Sequence, residues 1–122
     1  MAIINESVKT PFNDRAFGCI LGAFCGDSCG SYVEFYGLFD HKNSTPPEDV
    51  LDVAMGMPGG GCHEVAPGQV TDDGELMQCL IWGYLDSNKG EEQPRKFDLN
   101  CLSKRYGNWF NSEPTDIGIS TT

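Results

Sequence analysis

Asp72-Asp73-Gly74-Glu75-Leu76-Met77-Gln78-Cys79-Leu80-Ile81-Trp82-Gly83-Tyr84-Leu85 decides the fold class. Leu76, Met77, Leu80, Ile81, Tyr84 and Leu85 recur as adjacent pairs every four residues, the period of a helix with one continuous apolar face. Asp72, with Glu75 three positions on, resembles a capping box at its start. Downstream, residues 87–95 are polar, contain Pro94 and read as a linker. Asp98 then caps another helix, whose buried stripe is Leu99, Leu102, Tyr106, Trp109 and Phe110 and which ends before Pro114. Upstream, residues 36–70 turn to Gly, Pro and polar side chains and form a long surface loop with one short helix candidate at 47–57. Loops of that length are functional or disordered. Before it, residues 15–29 are small and apolar almost without a break, as in a buried helix. Residues 1–14 form a tail and 15–122 the folded portion. No segment alternates as a strand does and none repeats, so the expected class is all-α.

Gly18, Gly22, Gly26 and Gly30 recur every four residues and line one face of that first helix. A glycine inside a helix costs about 1 kcal/mol relative to alanine. Four of them call for a compensating reason: another backbone packed closely, or a ligand against the helix end.

Eighteen acidic against eight basic side chains give the 122-residue chain a formal charge of −10. That charge disfavours nucleic acid and anionic membranes as partners. An anionic small molecule remains compatible if a bound cation offsets the carboxylates. No stretch reaches the ~20 apolar residues of a membrane span, and the start lacks the pattern of a secretory signal. The expected compartment is intracellular, the cytoplasm. There the six cysteines read as small buried hydrophobes, Cys19, Cys79 and Cys101 among them.

Two constellations can carry chemistry. In Gly68-Gln69-Val70-Thr71-Asp72-Asp73-Gly74-Glu75-Leu76, three oxygen-bearing side chains stand together at a helix start. Either they cap the helix, whose free N–H groups and dipole favour negative charge, or they hold a divalent cation. In Gly26-Asp27-Ser28-Cys29-Gly30-Ser31-Tyr32-Val33-Glu34-Phe35, Glu34 lies between apolar neighbours. It is either a solvated turn residue or a carboxyl tuned for proton transfer. Asp27 reads as a local hydrogen-bonding residue. Cys62-His63 is a weak nucleophile–base pair, because sequence neighbours seldom meet in the required geometry. A zinc set of Cys25, Cys29, Cys62 and His63 lacks the short-knuckle spacing. Gly59-Gly60-Gly61 lacks the residues of a phosphate loop and reads as a flexible hinge.

Taken in order, four pieces resemble the start of the ADP-ribosylglycohydrolase family: Arg15-Ala16-Phe17-Gly18-Cys19-Ile20-Leu21-Gly22-Ala23-Phe24-Cys25-Gly26-Asp27-Ser28-Cys29-Gly30 with Glu34-Phe35; Met57-Pro58-Gly59-Gly60-Gly61; Gly68-Gln69-Val70-Thr71-Asp72-Asp73; and Asp116-Ile117-Gly118. The resemblance implies an orthogonal all-helical bundle with two Mg2+ or Mn2+ ions that hydrolyses the N- or O-glycosidic bond between ADP-ribose and a protein side chain. It implies Thr71, Asp72 and Asp73 as metal ligands. Glu34 and Asp73 are the implied catalytic carboxylates, Glu34 at the site's edge where it handles a proton or gates substrate. Asp116 and Gly118 are implied near the diphosphate or ribose. The implied partner is an ADP-ribosylated protein or ADP-ribose itself. Two departures stand out. Position 74 is Gly where the family often has a hydroxyl residue, and the resemblance stops before the family's second acidic metal motif. The expectation is therefore an N-terminal fragment, inactive alone, with exposed apolar helix faces and a tendency to associate. The alternative is a non-catalytic relative, structural or ADP-ribose-binding.

Overall fold

A computed structural model describes residues 11–37, 46–90, 96–119 and 121. Its elements in order are α1 (Pro11–Val33), α2 (Glu48–Ala54), α3 (Asp72–Ser87) and α4 (Leu99–Phe110). Among the described residues there is no strand, only an isolated antiparallel bridge between Gly60 and Val65. The all-α expectation holds.

α1 is longer at both ends than the 15–29 segment expected of it. Its described part runs from Pro11. Most of the expected tail, residues 1–10, lies outside the described residues. The helix ends in a turn at Val33, where the Tyr36 N–H donates to the Val33 carbonyl, and Phe35 and Gly37 take positive φ. α1 is not buried as its composition suggests: Phe12, Phe17 and Leu21 are exposed, and so is Cys19.

α3 and α4 form an antiparallel pair tied at both ends. At the turn end, Asn88 Nδ2 donates to the carbonyls of Tyr84 and Lys96, its Oδ1 accepts from the Lys96 N–H, and Ser87 Oγ accepts from the Asp98 N–H. At the far end, Trp109 Nε1 donates to Glu75 Oε2 at 2.6 Å. Between them a Cβ on Gly83 would stand 3.0 Å from Leu102 Cα, so glycine there lets the two backbones approach. Asp86 joins the helices by accepting from Arg105 Nε at 2.7 Å.

Two expectations about helix starts divide. Asp98 caps α4, its Oδ1 accepting from the Asn100 N–H. The capping box of α3 does not form: Thr71 is the N-cap, with no side-chain cap bond of its own, and Glu75 serves Trp109 instead. Only Ala54, Val65 and Trp109 are buried apolar side chains among the described residues, while Leu80, Leu85, Leu99 and Phe110 stand exposed. Of the stripe expected to be buried on α4 only Trp109 is, because among the described residues nothing covers Leu99 and Phe110; the apolar helix faces expected to be exposed are present. None of the described helices is long and apolar enough to cross a membrane.

Candidate functional site

The start of α3 is held by a residue from another helix. Asp27, on α1, accepts from the Thr71 N–H and the Gly74 N–H through Oδ2, both at 2.9 Å, and from Thr71 Oγ1 through Oδ1 at 2.6 Å. One carboxylate thus satisfies two of the N–H groups that a helix start leaves unpaired and orients the Thr71 hydroxyl. Gly74 is part of the fit, since a Cβ there would lie 2.6 Å from Asp27 Oδ2 and 2.6 Å from Val70 Cβ. The glycine at position 74 therefore leaves room for Asp27.

This docking opens a cavity of about 570 Å³ between the C-terminal half of α1 and the first turn of α3. Glu34, Thr71, Asp72 and Asp73 all line it, with Asp27 and the glycines Gly22, Gly26 and Gly30 on the α1 side. Thr71 is buried, Asp72 half-buried and Asp73 exposed. The glycine stripe meets no close backbone. Among the described residues, no heavy atom lies within 4 Å of where a Cβ would sit on Gly18, Gly22, Gly26 or Gly30.

Asp116 and Gly118 do not line this cavity; they buttress its wall from behind. The Gly118 N–H donates to Asp72 Oδ2 at 2.8 Å. Asp116 shares a small recess with Thr71, Asp72 and Glu75. Burial, then the negative charge of Asp72, pushes the Asp116 carboxyl above its usual range, and His63 partly offsets this.

The segment set aside as a hinge links these groups. Gly60 and Val65 exchange backbone hydrogen bonds at 2.7 and 3.2 Å, so residues 60–65 make a tight turn rather than a hinge. Gly61, with φ +68°, sits so close to α1 that a Cβ would fall 2.2 Å from the Ser31 carbonyl oxygen. That contact delivers Cys62 and His63 to the end of α1. His63 Nε2 lies 3.0 Å from Glu34 Oε2 and 3.5 Å from Asp116 Oδ2, and Phe35 packs beside the imidazole with ring centroids 6.1 Å apart. Burial and then Glu34 raise the Cys62 thiol. Sequence reading passed over His63 as a bridge and Asp27 as a clamp. Their only signals were a histidine two residues after the glycine run and an aspartate inside a small-residue helix.

Thr71, Asp72 and Asp73 form an all-oxygen donor set on one cavity wall, the chemistry that suits Mg2+ or Mn2+. The residues present fit such an ion.

Known proteins share this sequence. The ADP-ribosylglycohydrolase family model matches residues 8–122. The chain is 33% identical over 112 residues to a protein of Acanthamoeba polyphaga mimivirus named as an ADP-ribosyl glycohydrolase, covering 88% of this chain and 30% of that protein. It is 32% identical over 106 residues to the ADP-ribosyl-dinitrogen reductase glycohydrolase of Rhodospirillum rubrum, covering 87% and 32%. It is 28% identical over 115 residues to the ADP-ribosylarginine hydrolase Tri1 of Serratia proteamaculans, covering 88% and 26%. The chain thus spans a third or less of the length of these relatives. No solved structure matches it significantly. On the family match across nearly its whole length, the chain belongs to the ADP-ribosylglycohydrolase family.

Proposed function

We propose that the chain supplies the amino-terminal part of a cation-dependent hydrolase that frees ADP-ribose from modified protein side chains by cleaving an N- or O-glycosidic bond. The observation that carries this reading is the convergence of Glu34, Thr71, Asp72 and Asp73 on one cavity.

The electrostatics argue for the cation. A bare helix start attracts anions, but Asp27 already occupies the Thr71 and Gly74 N–H groups. With Asp27, Glu34, Asp72 and Asp73 around it, the cavity repels a diphosphate unless positive charge is added. Thr71, Asp72 and Asp73 would hold Mg2+ or Mn2+. Such an ion, when bound, polarises oxygen and makes water acidic enough to attack. Asp27 keeps the Thr71 hydroxyl oriented, and the Gly118 N–H keeps Asp72 in place. Glu34, at the rim beside His63, is placed to exchange a proton with the reacting group or to gate the cavity. Residues 116–118 brace Asp72 from behind the cavity wall.

The test is release of ADP-ribose from ADP-ribosylated arginine, with Mg2+ or chelator, alongside melting temperature with Mg2+ and ADP-ribose. For a chain that spans a third or less of its relatives' length, the expected result is a Mg2+-dependent rise in melting temperature that disappears in the Asp72→Asn, Asp73→Asn double variant; Mg2+-dependent release lost in that variant would show that the chain supplies every essential ligand. Binding of ADP-ribose with no response to Mg2+ would instead identify a non-catalytic relative. No release and no Mg2+-dependent rise in melting temperature would overturn the cation site, because a ligand of the native state must stabilise it.

A further inference from the structure

We propose that Glu34, Cys62 and His63 form a second cation site, suited to an ion of the Zn2+ class and chemically distinct from the all-oxygen set at Thr71, Asp72 and Asp73. One ligand atom from each of the three lies within 4.8 Å of the other two. Their burial is graded: Cys62 and Glu34 are open to solvent and His63 is half-buried, so an ion can enter from outside.

The arrangement is built rather than incidental. Gly61 seats the turn on the Ser31 carbonyl, and Phe35 flanks the imidazole. His63 Nε2 is shut off from solvent and makes no well-aligned hydrogen bond, although Glu34 Oε2 and Asp116 Oδ2 stand 3.0 and 3.5 Å away. A ring nitrogen set between two carboxylates and aligned with neither for a hydrogen bond is a place where a cation would find ready ligands. Thiolate and imidazole ligands select Zn2+ and its neighbours over Mg2+. With metal–sulfur and metal–nitrogen bonds of about 2.3 and 2.0 Å, closing the set into a tetrahedron takes side-chain movements of about 1 Å. A water would complete four-coordination. On binding, the sulfur–metal bond replaces the sulfur–hydrogen bond of Cys62 and the proton passes to solvent.

Binding here does not depend on the proposed hydrolase activity. One consequence does rest on that reading: an ion at this place holds Glu34, so its occupancy would restrain the rim of the cavity.

The probe is Co2+ titrated into the full chain with excess Mg2+, followed by visible and near-ultraviolet absorption, then displaced with Zn2+. The expected result is one equivalent of tetrahedral cobalt with a sulfur-to-metal charge-transfer band, lost in Cys62→Ser. Glu34→Gln and His63→Ala should each weaken binding by about tenfold or more. The Cys25→Ser, Cys29→Ser variant and the Asp72→Asn, Asp73→Asn variant should keep the band, the latter separating this site from the proposed hydrolase centre. Absence of the band in the unmodified chain, its survival in Cys62→Ser, or its loss in Cys25→Ser, Cys29→Ser would overturn the proposal.

Discussion

Glycines serve opposite purposes in two regions of this molecule. Along α1, Gly18, Gly22, Gly26 and Gly30 face open space or the cavity, and a methyl group on any of them would touch nothing described. At the turn after α2 and at the start of α3, Gly61 and Gly74 are pressed against the Ser31 carbonyl and the Asp27 carboxylate. The second group holds the site together, because a side chain at either place would push apart the segments that carry Glu34, His63 and Thr71. The first group keeps one wall of the site clear. A regular spacing is therefore a poor guide to which glycine is structurally required; the neighbour at the Cβ position decides.

Breaking the contrast is simplest at Gly61. Gly61→Ala combines a positive φ with a backbone collision and should lower stability by about 3 kcal/mol in urea unfolding. An unchanged midpoint would mean that the turn does not seat on α1. Next comes Asp27→Ala, which strips the partners from two N–H groups and a hydroxyl. A loss of about 2 kcal/mol is expected, with faster hydrogen exchange at the Thr71 and Gly74 amides. Slow exchange retained at both would show that α3 is capped some other way. On the open side, Gly22→Ala should raise stability by up to about 1 kcal/mol, since helix propensity improves and nothing is displaced; a destabilised variant would reveal a close neighbour of this helix.

The smallest effect belongs to Asp86, at the opposite end of α3 from Gly74. Hydrogen bonds from Lys89 and Arg105 hold the Asp86 carboxyl below its usual range. A carboxyl depressed in the folded state stabilises above its unfolded pKa, and that contribution fades as pH falls through the folded value. Arg105→Gln should therefore flatten the acid limb of stability against pH slightly, most clearly at low salt. Identical profiles for the two proteins would show that the pair, exposed on its Lys89 and Arg105 side, contributes nothing measurable.

Much of the local structure was legible because its causes are local. The paired apolar positions of α3 and the stripe of α4 follow a period that any reader of the chain can count, and Asp98 caps the helix that begins one residue later. Thr71, Asp72 and Asp73 could be placed at a helix start for the same reason. Misreadings came where a side chain had two possible partners. Glu75 has the spacing of a capping residue, yet its carboxylate is taken by Trp109 of α4. The glycine run reads as a hinge until its φ angles and the Gly60–Val65 bridge show a tight turn.

Composition and periodicity alone determined the helical class, the acidic character, and the oxygen donors at the start of α3, because each depends on residues within a few positions of one another. Only tertiary packing decided that Asp27 clamps that helix start from 44 and 47 positions away, that Gly118 braces Asp72, and that His63 stands between Glu34 and Asp116. Such contacts join segments with no shared period, so only the packing of distant backbones against one another brings them about.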